Sequence, residues 1–149
     1  MIYLLDTDIL IFMLRGLKSG RRPAQRRHAQ ELVDHCRRVQ RAGDSVALSA
    51  VTVSELEFGA RNSDDYEAEI SAVHKVLAPF DIYNYDAVAC PPHYGRIRHE
   101  LESKGADIGS MDLLIAAHAF ALDARLVSKN LSRFARVAGL KTANWLVQP

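Results

Sequence analysis

Apolar residues run unbroken through "IYLL" (2–5), without the alternation of a half-solvated strand. The pattern predicts a short strand buried on both faces. "DILIFMLRG" then carries helically spaced apolar positions and stops at Gly16. "LKSGRRP" is a loop punctuated by Gly20 and Pro23. "AQRRHAQELVDHCRRVQRAGD" predicts a helix with Leu32, Val33, Cys36 and Val39 on one stripe, ended by Gly43. "SVALSAV" is a second apolar strand. "TVSELEFGARN" is a helix, and another spans about Asp64 to Leu77. "FDIYNYD" holds a third short strand. A long helix is expected from Asp86 to Lys104, with Pro91 and Pro92 in its first turns or marking a late start. "GSMDLLIAAHAFALDA" is helical and almost wholly apolar, so it should be buried on most sides. "RLVS" is a fourth strand, "LSRFARV" a turn of helix, and "KTANW" a candidate fifth strand.

Strands thus alternate with helices along the chain. That order predicts an α/β fold: a parallel sheet with helices on both faces and right-handed crossovers. The sequence shows no internal repeat, low-complexity run or interdomain linker. Its 149 residues fit a single domain spanning 1–149.

Composition narrows the class. Hydrophobic residues make up 48% and charged residues 25%, as in ordinary soluble globular proteins. The N-terminal run lacks the basic flank of a signal peptide and is interrupted by Asp6 and Asp8. No stretch approaches the ~18 apolar residues of a membrane helix. The two cysteines, Cys36 and Cys90, are far apart, which fits neither a disulfide framework nor a thiolate zinc site. Both read as small buried hydrophobes in a protein of the reducing cytoplasm. Charge is distributed unevenly. Residues 15–41 hold nine Arg and Lys against Glu31 and Asp34, a net +7, whereas the whole chain carries +1, so the remainder carries −6. That segment is either a solvated Arg-rich helix face or a polyanion contact, with Arg21, Arg22, Arg26 and Arg27 as candidate RNA-binding residues. No aromatic residue lies between Arg15 and Arg41, which leaves phosphate contact rather than base stacking as the role.

Three carboxylates sit where a strand or loop hands over to a helix: Asp6, Glu55 and Asp112. Each has an innocent explanation. Asp6, Thr7 or Asp8 can cap the first helix, with Thr7 and Asp8 the better candidates. Thr52 and Glu55 fit a T-x-x-E capping box. Asp112, two residues after Ser110, suits the positive end of a helix dipole. Taken together these explanations weaken. The residues just past the carboxyl ends of parallel strands converge on one crevice, where Asp6 and Glu55 belong. Asp112 opens a helix leading into strand four, and topology alone does not put it on that edge. Converging carboxylates stay ionised only with a cation among them. An all-oxygen set without Cys or His favours Mg²⁺ or Mn²⁺ over zinc, and the chemistry suggested is metal-assisted phosphodiester hydrolysis. Asp8 is assigned to the turn.

Other reactive residues give less. A Ser/His/Asp triad lacks its G-x-S-x-G elbow. His118, inside "LLIAAHAFAL", reads as a satisfied core histidine. No phosphate-binding glycine loop is present.

The segments "YLLDTDILI", "SAVTVSELEFGA" and "YGRIRHELESKGADIGSMDLLIAAHAFALDARLVSKNLSRFARVAGLKTANW" resemble the PIN-domain ribonucleases, and among them the VapC toxins of toxin–antitoxin pairs. The resemblance covers most of the chain and keeps the order of a strand-one Asp, a helix Glu, then "IG-x-x-D-LLIAAHA". It implies a three-layer α/β/α fold on a short parallel sheet. It implies Mg²⁺- or Mn²⁺-dependent endoribonuclease activity on structured RNA such as transfer RNA, leaving 5′-phosphate and 3′-hydroxyl ends. It further implies a VapB-like antitoxin that blocks the site, and a homodimer. By this likeness Asp6, Glu55 and Asp112 are metal-site acids, and Thr7 is the hydroxyl residue beside the first Asp. Where members read "LVT-x-[N/D]" this chain has "LVSKN". Ser128 keeps the hydroxyl, and neutral Asn130 replaces a frequent fourth acid, so a second metal should bind more weakly. The basic stretch is longer and more Arg-rich than the family suggests, a candidate contact for RNA, the antitoxin or a twin subunit. The competing readings are a catalytically weak or inactive RNA- or partner-binding module and, more distantly, a small-molecule phosphohydrolase.

Overall fold

The computed structural model describes residues 1–146. The last three residues of the expected 1–149 span lie outside that description. Five parallel strands form one sheet in the order β3-β2-β1-β4-β5. They are β1 (Ile2–Leu5), β2 (Ser45–Ser49), β3 (Asp81–Tyr83), β4 (Arg125–Val127) and β5 (Thr142–Ala143). The helices are α1 (Thr7–Gly16), α2 (Pro23–Arg41), α3 (Ala50–Arg61), α4 (Tyr66–Leu77), α5 (Cys90–Ser103), α6 (Ser110–Ala121) and α7 (Leu131–Phe134).

The continuous apolar strands are explained by burial on both faces. In β1, Leu5 packs with α1, α2, α3 and α4, whereas Leu4 packs with α5 and α6. Val46 and Leu48 of β2 join the first core, and Ala47 between them joins the second. The result is the expected three-layer α/β/α arrangement. Helix α2 buries Ala29, Leu32 and Cys36, with Val33 and Val39 packed alongside, and leaves its Arg residues in solvent. It crosses α1 at Gly16, where an added Cβ would collide with the Ala29 Cβ. Cys36 and Cys90 are both free and buried, as the composition implied.

Boundaries differ from the sequence expectation in three places. Strand β2 ends at Ser49, and Ala50 and Val51 already belong to α3. The Ser49 hydroxyl caps that helix by accepting from the Val51 N–H at 3.0 Å. The T-x-x-E capping box therefore does not form, because Thr52 lies inside the first turn. Helix α4 begins at Tyr66, with Asp65 as its cap. Helix α5 starts late, at Cys90, because the Asp86 carboxylate accepts from the Val88 and Ala89 N–H groups at 2.9 and 2.7 Å and holds the preceding turn.

A carboxylate crevice at the sheet edge

The β1–β4 pairing runs one residue past the end of β1. The Asp6 N–H donates to the Val127 carbonyl at 2.8 Å, which fixes Asp6 at the carboxyl edge beside Ser128. Asp6 is only 2% exposed. Its Oδ1 accepts from the Thr7 N–H at 2.8 Å, so Asp6 is itself the α1 cap, where Thr7 and Asp8 were the expected candidates. Its extended backbone at the strand end leaves the carboxylate facing the first free N–H of the helix. Asp6 Oδ2 accepts from the Ser128 hydroxyl at 3.0 Å. Ser128 is fully buried, and its oxygen accepts from the Asn130 N–H at 3.0 Å, which turns its single proton toward Asp6.

Glu55 reaches the same edge from α3. Its Oε1 accepts from the Thr7 hydroxyl at 2.8 Å. Thr7 and Thr52 hydroxyls meet at 3.0 Å, and because the Thr7 proton goes to Glu55, Thr52 donates to Thr7. Thr52, assigned to a cap by sequence, instead stiffens the link between α1 and α3.

Asp112 arrives from the first turn of α6. A helix that feeds directly into a parallel strand must run against it, so α6 starts at the edge where the strands end. That connection supplies the placement that strand order alone left open. Gly109 opens α6 with a φ of 92°, a conformation that glycine adopts without strain. Asp112 Oδ2 pairs with Arg133 Nη1 at 2.6 Å. Arg133, on α7, was not among the residues singled out in the sequence. A basic side chain in a short amphipathic turn carries no signal of its own there.

Asp8 also faces this edge rather than serving only the turn. Its carboxylate receives weak contacts from the Ser128 hydroxyl at 3.4 Å and the Lys129 N–H at 3.5 Å. Asn130 is exposed, and its amide oxygen accepts from the Ser132 hydroxyl at 2.8 Å. It shapes the loop mainly through its backbone bond to Ser128. His118 is 1% exposed and only half satisfied. Its Nδ1 meets Ser49 Oγ at 2.8 Å, while Nε2 lacks a bonded partner among the described residues. Burial pushes its pKa down, against smaller upward pulls from the Asn84 carbonyl and from Asp86.

Asp6 and Asp112 feel the neighbouring acids. Burial, then the Asp8 charge, pushes the Asp6 pKa up to about 7, against the pull of its Ser128 and Thr7 bonds, with Asp112 adding to the rise. Burial likewise raises Asp112, with Glu55 and Asp8 contributing and Arg133 opposing. A partly buried group of four carboxylates that holds, among the described residues, a single paired cation, Arg133, favours an added cation. Among the described residues no three His, Cys, Asp or Glu side chains form a ready-made metal cage. The donor set nevertheless fits Mg²⁺ or Mn²⁺, because a hard ion of this kind keeps most of its waters and needs only one or two direct carboxylates.

The candidate RNA-binding arginines divide. Arg21 and Arg22 line a cavity of about 630 Å³ with Phe12, Ala24, Gln25 and His28. Arg26 and Arg27 lie in solvent outside it, and Arg27 is near Glu31 at 3.9 Å. Phe12 comes from α1, so the patch does hold an aromatic ring. The Lys129 ammonium sits 5.7 Å from that ring, which joins the basic cavity to the carboxylate edge. A mainly apolar groove of about 530 Å³ between α1, α2 and α4 lies away from the carboxylates.

Comparison with known proteins agrees with this architecture. The PIN domain family model matches residues 3–140. The chain is 32% identical over 145 residues to ribonuclease VapC2 of Rickettsia felis, covering 97% of this chain and 98% of that one. It is 32% identical over 143 residues to the tRNA(fMet)-specific endonuclease VapC of Shigella flexneri, covering 96% and 97%. The crystal structure of VapBC2 from Rickettsia felis bound to a promoter DNA fragment superposes with a TM-score of 0.84 at 31% identity, over 97% of this chain and 99% of that chain. The strand-edge acids, the α/β/α layers and near full-length similarity lead to one assignment: this chain belongs to the PIN-domain family, among the VapC ribonucleases.

Proposed function

We propose that this protein is a metal-dependent endoribonuclease that acts as the toxin of a toxin–antitoxin pair. The observation that carries the reading is the convergence of Asp6, Glu55 and Asp112, with Asp8 beside them, at the carboxyl edge of the sheet, where Thr7 links Asp6 to Glu55 and Ser128 links Asp6 to Asp8. Asp6, Glu55 and Asp112 would hold a Mg²⁺ or Mn²⁺ ion, directly or through water. A bound ion of this kind supplies a Lewis acid for a phosphoryl oxygen and a water of lowered pKa. The chain's own residues do the rest. Ser128 orients Asp6, and the Thr52–Thr7 hydroxyl relay orients Glu55. Ser128 directly follows β4, and Thr7 and Thr52 lie in the first turns of the helices that leave β1 and β2, so the acids are positioned before substrate arrives.

The RNA backbone would run from this edge over Lys129 to Arg21 and Arg22, with Phe12 available to a splayed base. Transfer RNA is the substrate class favoured by the Shigella flexneri relative. A VapB-like antitoxin is the expected partner, since related solved structures are VapBC assemblies. Among the described residues no helix is long and apolar enough to cross a membrane.

The deciding experiment incubates the purified protein with transfer RNA and Mg²⁺, with and without EDTA. Cleavage should need the metal and disappear in Asp112→Asn. Equal cleavage by that variant overturns the reading. RNA binding without cleavage, with any divalent ion, points instead to a binding module, a reading favoured by Arg133 already engaging Asp112.

A further inference from the structure

Arg133 sits inside the carboxylate group. Among the described residues it is the only cationic side chain in ion-pair contact with any of the four acids. Its guanidinium stays charged at any working pH, so it is a permanent resident rather than a titrating partner. The contact to Asp112 uses Nη1 alone, at 2.6 Å. Nε is buried without a hydrogen-bond partner. The guanidinium therefore has donor capacity that Asp112 does not use. Its neighbour on α7, Phe134, is fully buried, with its ring 5.8 Å from the guanidinium carbon. The short helix α7 carries both residues and follows directly from the strand end that supplies Ser128.

Two-ion phosphodiesterases place their cations ~3.5–4 Å apart, each held by shared carboxylates. Arg133 and an ion held by the other oxygen of Asp112 would share one carboxylate, as the paired cations of such sites do. Two divalent ions beside it would face a third positive charge in a partly buried crevice.

We propose that Arg133 is a built-in cation filling one of two cation places in the crevice, so that the site takes a single divalent ion. This rests on the metal-dependent reading above and specifies its stoichiometry. Arg133 then supplies the second positive charge that a phosphate in the crevice needs, from a side chain that remains 38% exposed.

The test is a Mn²⁺ titration of the full chain by calorimetry and electron paramagnetic resonance, on wild type, Arg133→Gln and Arg133→Lys. Wild type should bind one ion. Arg133→Gln should bind two, or one about tenfold to a hundredfold more tightly, because Asp112 loses its competing partner. Arg133→Lys should keep a single ion. Two equivalent ions in wild type overturn the proposal, and so does an Arg133→Gln protein unchanged in both number and affinity. If the Gln variant fails to fold, two ions bound by wild type or by Arg133→Lys still overturn the proposal. Binding by neither protein overturns this inference together with the metal-dependent reading. Binding of two ions by wild type overturns the inference alone.

Discussion

Replacing Asp6 with Asn should make the metal-free protein more stable, although it removes a helix cap charge. Asp6 is ordinarily protonated below a pKa of 3.8 and is pushed up to about 7 in the fold. The sign follows from where the proton is held. Below pH 3.8 both states carry it and nothing is lost. Between 3.8 and about 7 the unfolded chain releases the proton while the folded chain retains it, so stability falls with rising pH. Above about 7 the cost is constant. Three pH units at about 1.4 kcal/mol each give a penalty of about 4 kcal/mol for keeping the charged carboxylate buried. Asparagine never bears that charge. Its carbonyl oxygen can still accept from the Thr7 N–H, which keeps the cap, while the weaker neutral bonds take back about 1 kcal/mol. The variant should therefore gain about 2–4 kcal/mol at pH 8 and match wild type within about 1 kcal/mol near pH 4. Urea unfolding followed by circular dichroism in EDTA, at both pH values, measures this. Mg²⁺ should reverse the order at pH 8, because wild type gains RT ln(1 + [Mg²⁺]/Kd) and the variant loses its ligand. An Asn variant less stable than wild type at pH 8 without metal would refute the argument, leaving Asp6 as an ordinary cap.

Other consequences can be read from single contacts. Thr7→Val deletes the hydroxyl that holds Glu55 while sparing the backbone cap on α1, so Mn²⁺ affinity should drop by about tenfold to a hundredfold with an unchanged circular dichroism spectrum. Ser128→Ala removes a donor that favours the charged Asp6, so the acidic limb of the cleavage-versus-pH profile should move to higher pH; a limb that stays put would remove Asp6 as the titrating group. Gly16→Ala drives a methyl group into Ala29 across the α1–α2 crossing and should cost about 1–3 kcal/mol in urea unfolding.

The sequence by itself determined the strands and helices, because their burial differs by type. "IYLL" and the β2 run are apolar at every position since each strand packs on both faces, and the alternation of elements then requires a parallel sheet. It also placed Asp6 and Glu55 at one edge, since residues past parallel strand ends have nowhere else to go. Boundaries were less legible. Ala50 and Val51 suit a strand as well as a helix, and only the Ser49 cap decides between them. Some site partners could not be found from spacing at all. Thr52 meets Thr7 across 45 residues, Ser128 meets Asp6 across 122, and Arg133 reaches Asp112 from a separate helix. Such contacts depend on which helices share a sheet edge, and local pattern carries no record of that. The same holds for Asp8, a turn residue by sequence whose charge becomes the second largest cause of the raised Asp6 pKa once the fold brings the acids together. Phe12 lies beside Arg21 and Arg22 although the Arg-rich segment itself holds no aromatic, because α1 carries the ring there. Chain order determined which acids are present; tertiary packing decided how strongly they charge one another and which cation answers them.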